Sequence, residues 1–110
     1  MYSDHKIYTI VYTKKGYAVY EWDEEKRLKN IEKHGIDFIR VKEMWNYPVC
    51  EMISPQTDHS EKRFLAIGRL NKIHITVVYT WRGDNRRIIS ARKARKNEEK
   101  YYKDETRRRT

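Results

Sequence analysis

The chain has 110 residues, with 25 Lys or Arg against 16 Asp or Glu, and a formal net charge of +9. That length supports one modest core and not two. A single cysteine, Cys50, excludes an intrachain disulfide and a structural zinc site of several thiolates.

No apolar run approaches the roughly 20 residues that a membrane-spanning helix needs. Residues 1–6 are polar, and the apolar run after them is broken by Thr9 and Thr13, so no secretory signal is expected. A soluble, cytoplasmic protein with no membrane contact is the expectation. The apolar fraction is only 38%, which in isolation would suggest disorder. Nine Tyr, three Trp and two Phe argue instead for a packed domain. The charge is uneven: residues 82–110 carry 12 basic against 5 acidic side chains, while residues 1–81 carry 13 against 11. Such a C-terminal block attracts polyanions, because every phosphate contacted releases a condensed counterion. An acidic partner protein would serve as well.

In chain order, residues 7–13 favour extended backbone. Lys14-Lys15-Gly16 reads as a turn, and residues 17–22 as the returning strand of a hairpin. Asp23 then caps a helix over residues 24–34, with Glu24 and Glu25 at the positive end of its dipole. Trp22 can pack back over the first turn as a staple. Lys33 and His34 fill the last turn and Gly35 stops it. A second short helix is expected from Asp37 or Phe38 to about Asn46, carried by Phe38, Val41 and Trp45 and ended by Pro48. Val49, Glu51 and Ile53 alternate with Cys50, Met52 and Ser54, and a polar loop over residues 54–60 follows. Residues 63–70 form a strand, Asn71-Lys72 a hairpin turn, and residues 73–81 a central strand. Residues 82–85 turn the chain into a last strand over residues 87–90. This spacing predicts an antiparallel meander. From Ala91 to about Asp104 helix formers dominate, with Ser90 as a candidate cap. Residues 106–110 read as a frayed basic end.

There is no P-loop, GxGxxG, HExxH or paired-cysteine motif, and His5, His34, His59 and His74 have no close ligand partner. No metal and no cofactor are expected. Arginine stands out instead, placed in strands and turns far apart in sequence. If Arg63, Arg82 and Arg87 converge, their forks can clamp a phosphate and stabilise the charge that develops on it. Glu61 falls on the same side of a regular strand as Arg63, as a base or as a partner holding the arginine still. His34 has two readings, a proton-transfer group of suitable ordinary pKa or a helix C-terminal cap. Tyr79, Trp81, Tyr101 and Tyr102 are stacking platforms for unpaired bases, or else core and interface residues.

Three motifs occur in a fixed order. The first is Trp22-Asp23, Lys26, Asn30, Lys33-His34-Gly35-Ile36 and Phe38. The second is Glu61-x-Arg63 with Gly68. The third is Val77-Val78-Tyr79-Thr80-x-Arg82 followed by Arg87-Ile88-Ile89-Ser90-Ala91-Arg92-Lys93-Ala94, continued by Glu98 and Tyr101. Together they resemble the BrnT family over roughly residues 20–102. The resemblance implies a ribonuclease toxin that blocks translation. It also implies an α+β, RelE-like fold: a small antiparallel sheet with two helices from the N-terminal half and a basic C-terminal helix. The implied partners are RNA and a BrnA-like antitoxin with a ribbon-helix-helix DNA-binding domain, so that DNA is reached only through the antitoxin. The implied site residues are Arg63, Arg82 and Arg87 on phosphate, Lys26 and Arg92 as further backbone contacts, Glu61 or His34 moving protons, and Ser90 as a site residue or cap. Trp22, Asp23 and Asn30 read as structural, with Asn30 tying the helix to a loop. The domain is expected over residues 20–104, followed by a tail over 105–110. Residues 1–19 lie outside the resemblance as an extension contributing a β-hairpin. Trp45-Asn46-Tyr47-Pro48 stands where the family has Phe-x-Asp-Pro, and Arg95 where it has threonine. The alternative reading is a noncatalytic module that binds RNA or a partner through its basic C-terminal helix. An accessory DNA-binding subunit is a third.

Overall fold

The structure is a computed structural model that describes residues 8–12, 19–55 and 61–108. The expected Lys14-Lys15-Gly16 turn, most of the polar loop, His5, His59 and the last two residues lie outside the described residues. Six strands form one sheet: β1 (Tyr8–Tyr12), β2 (Val19–Asp23), β3 (Cys50–Ile53), β4 (Phe64–Leu70), β5 (Ile73–Arg82) and β6 (Asn85–Lys93). Three helices accompany it, α1 (Glu24–His34), α2 (Phe38–Val41), which runs on as a 3₁₀ turn over Lys42–Asn46, and α3 (Lys96–Arg108).

The sheet order is β1-β2-β6-β5-β4-β3. Four of its five pairings are antiparallel, but β2 runs parallel to β6. The expected all-antiparallel sheet is therefore corrected to a mixed one. The meander β3-β4-β5-β6 is as predicted, but it ends by laying β6 against β2, the strand that precedes α1. A parallel pair needs a long crossover, and here the crossover consists of α1, α2 with its 3₁₀ turn, and the strands β3, β4 and β5.

Local signals place α1. Asp23 accepts hydrogen bonds from the N–H groups of Glu25 (2.9 Å) and Lys26 (3.4 Å). Gly35 takes φ +72° and donates its N–H to the Ile31 carbonyl at 2.8 Å. A left-handed residue there suits glycine, which has no Cβ to clash. Asp37 caps α2 and also receives Arg27, which Glu24 holds from its other side. This pins the corner between the two helices.

Residues opposite one another across neighbouring strands share a face. One face carries Tyr20, Trp22, Ile88, Tyr79, Val77, Ile75 and Ala66 and packs against Ile36, Phe38, Val41 and Met44 from the helical corner. Gly68 lies on this face, and a Cβ there would run into the Met44 side chain. The Asn30 carboxamide crosses the interface. It donates to the carbonyls of Ile36 (2.9 Å) and Ala91 (2.8 Å) and accepts the Ala91 N–H (3.2 Å).

The other face carries α3. The expected helix start at Ala91 is corrected: residues 91–93 complete β6, paired to β5 through Val77↔Ala91 and Ile75↔Lys93. Ser90 lies inside that strand, opposite Val78, and so caps no helix. The chain leaves β6 after Lys93, and α3 runs to Arg108. Its first turn is closed by Glu98, which accepts the Arg95 N–H at 2.8 Å, the reciprocal half of a capping box. Most of its hold on the sheet is polar. Glu98 receives Arg92 at 2.8 and 2.9 Å and the Thr76 hydroxyl at 3.0 Å. His74 meets Glu99 at 2.8 Å, and the buried Tyr102 donates to the Pro48 carbonyl at 2.7 Å.

This anchoring predicts an acid-sensitive helix. The Arg92 hydrogen bonds, opposed by burial and aided by Arg95 and Thr76, hold Glu98 down at about 2 from an ordinary 4.5. A carboxyl depressed in the folded state adds stability in full above its unfolded value, and loses it as the pH falls through its folded value. Urea unfolding midpoints measured from pH 6 to pH 2 should therefore fall below about pH 4.5, and Glu98→Gln should flatten that slope. An unchanged slope would place the acid sensitivity in other carboxylates.

Candidate nucleic-acid interface

Register decides where the arginines go. Thr80 opposes Arg87, which opposes Glu21, and Arg82 opposes Asn85, which opposes Val19. All six therefore share the face opposite the α1–α2 core, at the end of the sheet where β5 turns into β6. Arg82 and Arg87 form a diagonal cross-strand pair, with roughly 7–8 Å between such positions. Arg63 immediately precedes Phe64, which opposes Tyr79, so the same alternation sets Arg63 beside Thr80. The pairing continues that far, because the Thr80 hydroxyl donates to the Lys62 carbonyl at 2.6 Å. Neighbouring strands lie about 4.8 Å apart, so Arg63 and Arg87 flank Thr80 on its two sides. Sequence-distant arginines thus share one sheet face.

Their surroundings differ. Arg87 is buried and lies 3.4 Å from Glu21, whose carboxylate Asn85 also holds at 2.9 Å. Arg63 lies 3.7 Å from Glu61, and its Nε has no hydrogen-bond partner among the described residues. Arg82 is exposed, with no ion pair among the described residues. This face therefore offers one open guanidinium, one held by a neighbouring carboxylate, and one set into the sheet.

The remaining sequence candidates do not gather there. Arg92 and Ser90 share the face, but the Arg92 charge is engaged by Glu98 beneath α3. Lys26 and His34 are exposed on α1, which packs over the opposite face. His34 precedes Gly35, and Gly35 lines a cavity of about 710 Å³ with Asn71, Lys72 and Ile73 at the β4–β5 turn. That turn is at the far end of β5 from Arg82. Of the aromatic candidates, Tyr79 and Tyr102 are buried, while Trp81 and Tyr101 are exposed. Among the described residues no three His, Cys, Asp or Glu side chains gather as metal ligands.

Residue reading missed Glu21, Asn85 and Thr80 as partners on this face. Their signal is the parallel β2–β6 register, which no local pattern carries. It also missed the group around Arg86 on the opposite face. There the guanidinium lies 4.3 Å from the Trp45 ring centroid, 4.7 Å from Trp81, 5.3 Å from Tyr79 and 5.9 Å from Tyr20. Glu51 approaches Arg86 at 3.7 Å and accepts hydrogen bonds from Tyr79 and from the Trp45 indole. Burial first, then the Glu51 hydrogen bond, push the Tyr79 hydroxyl up to about 12.

Fold and surface together define a small α+β protein with helices on both sides of a mixed sheet and arginines concentrated at one sheet end. A family model described as ribonuclease toxin, BrnT, of type II toxin-antitoxin system matches residues 22–98, and the chain belongs to that family. All three sequence motifs fall within or at the edge of that span. Membership implies an RNA substrate and a cognate antitoxin. Comparison with curated proteins returns no match.

Proposed function

We propose that this protein is a metal-independent endoribonuclease toxin that cleaves RNA and thereby inhibits translation in the cytoplasm. The observation that carries the reading is the register-defined face shared by Arg63, Arg82 and Arg87 within a BrnT-family chain. In the proposed reaction the ribose 2′-oxygen attacks the adjacent phosphorus and the bond to the 5′-oxygen breaks, leaving a 2′,3′-cyclic phosphate. Glu61 takes the proton of the 2′-hydroxyl, and the departing oxygen takes one from water. Arg82 and Arg63 hold the phosphoryl oxygens as negative charge builds on them, and stabilise the transition state more than the ground state. Arg87, fixed by Glu21, supplies positive potential from within the sheet. A BrnA-like antitoxin with a ribbon-helix-helix domain neutralises the toxin, and DNA is reached only through it.

The test is incubation of purified protein with single-stranded RNA in excess EDTA. The expected products carry 2′,3′-cyclic phosphate ends. Tight binding without any product would favour a noncatalytic RNA-binding module acting through the basic α3. Salt-sensitive binding by itself separates nothing, since a protein of charge +9 binds polyanions in any case.

A further inference from the structure

The Arg86 group is more than the end of the core. A cavity of about 330 Å³ opens beside it, lined by Glu51, Phe64, Tyr79, Trp81 and Arg86 with Met52 and Ile53. Its walls are aromatic: Phe64 stacks on Tyr79 with ring centroids 5.5 Å apart, and Trp81 stands edge-on to Tyr79 at 5.6 Å. Trp81 remains 42% exposed and Ile53 57% exposed, so the rim is open and apolar. A flat π-face is the complement of such walls.

The polar groups are equally selective. The Glu51 carboxylate has about four lone-pair sites. Tyr79 and the Trp45 indole take two of them. Each oxygen keeps a further lone pair, and Oε2, which takes the Trp45 indole, sits 3.7 Å from the Arg86 guanidinium, whose Nε has no hydrogen-bond partner among the described residues. A carboxylate with one lone pair left on each oxygen, beside a guanidinium, suits two adjacent donors next to an acceptor. Guanine alone among the RNA bases presents that edge, with N1–H and N2–H₂ beside O6. Adenine and cytosine each pair one amino group with a ring-nitrogen lone pair that would face the carboxylate. Uracil has one N–H between two carbonyls.

We infer that this cavity is a guanine-selective base pocket: an unpaired guanine stacks against the exposed Trp81 ring, donates N1–H and N2–H₂ to Glu51, and accepts from Arg86 at O6. The pocket lies at the same sheet end as Arg82 and Arg87 but on the opposite face, since Trp81 and Arg86 oppose one another one residue away from them. A single strand crossing that end places a guanine next to the phosphate held by the arginines. The inference rests on the RNA reading above, but it is measured without turnover, so a protein that cuts nothing still passes or fails it.

The test is titration of the full chain with 5′-GMP, AMP, CMP and UMP, followed by NMR of the tryptophan indole N–H signals. All four carry the same phosphate, so differences report on the base. GMP is expected to bind at least ten-fold more tightly than the others and to shift the Trp45 and Trp81 indole signals. Glu51→Gln replaces one acceptor oxygen by a donor and should cost GMP at least ten-fold in affinity. Trp81→Ala, at an exposed ring, should weaken GMP by a similar factor without unfolding the chain. Equal affinity for all four nucleotides, or GMP binding untouched by both substitutions, overturns the pocket.

Discussion

Replacing Arg82 with alanine should lower the RNA-cleavage rate by roughly 10²–10³-fold, the usual cost of losing one preorganised group that meets charge developing in the transition state. The same change should leave folding stability within about 0.5 kcal/mol, because the side chain is exposed and has no ion pair among the described residues. That combination separates chemistry from folding. Arg87→Ala does not offer it: the side chain is buried against Glu21, and removing one member of such a pair leaves an uncompensated carboxylate, at about 3–5 kcal/mol. Arg82→Lys is the informative companion. It keeps the charge and loses the planar fork, so it should recover only part of the rate. Single-turnover cleavage with thermal melts on the same samples makes the comparison. An Arg82→Ala protein that cuts at the parental rate would remove Arg82 from the proposed mechanism.

The second large effect concerns stability. Asn30→Ala should destabilise the fold by about 3 kcal/mol, equivalent to a fall in Tm of roughly 12 °C or more in a domain of this size. The reason is topological. Pairing between β2 and β6 ends at Trp22↔Ile88, so Ala91 has no strand neighbour on that side. The Asn30 carboxamide takes the place of one. It satisfies both backbone groups of Ala91 and the carbonyl of Ile36. Truncation leaves buried polar groups unmade, which costs more than a hydrogen bond contributes. Asn30→Asp is no rescue, because a carboxylate can accept from Ala91 but has nothing to donate to two carbonyls. Calorimetry of both variants decides the point, and a Tm within 3 °C of the parent for Asn30→Ala would refute it.

How much of this was readable in advance follows from the range of each interaction. The limits of α1 were legible because Asp23 and Gly35 act on backbone groups within a few residues. The β4–β5 turn was legible at Asn71-Lys72, where Asn71 takes φ +58°. The start of α3 was not. Ala91 and Arg92 are good helix formers, yet register with β5 and the Asn30 carboxamide on the Ala91 backbone hold them extended, and that competition is not written in residues 91–93. The parallel β2–β6 pair was hidden for the same reason. Alternation alone could set Glu61 and Arg63 on one side of a strand. It could not set Arg63, Arg82 and Arg87 on one side of a sheet, because that depends on register across three strands. The Arg86 cage is the extreme case: Tyr20, Trp45 and Glu51 come from three separate segments, and nothing local to any of them shows that they meet Tyr79 and Trp81 of β5 around one guanidinium.

The parallel pairing of β2 with β6 also dictates a timetable. Glu21 and Arg87 are 66 residues apart, and closing so long a loop is slow and entropically costly. A chain made from its N-terminus at about 5–20 residues per second holds β2 unpaired on that edge for roughly 3–13 seconds before β6 exists. The arginine end of the sheet is therefore among the last parts to assemble. On the ribonuclease reading proposed above, a nascent chain beside its own messenger RNA has no finished site with which to attack it.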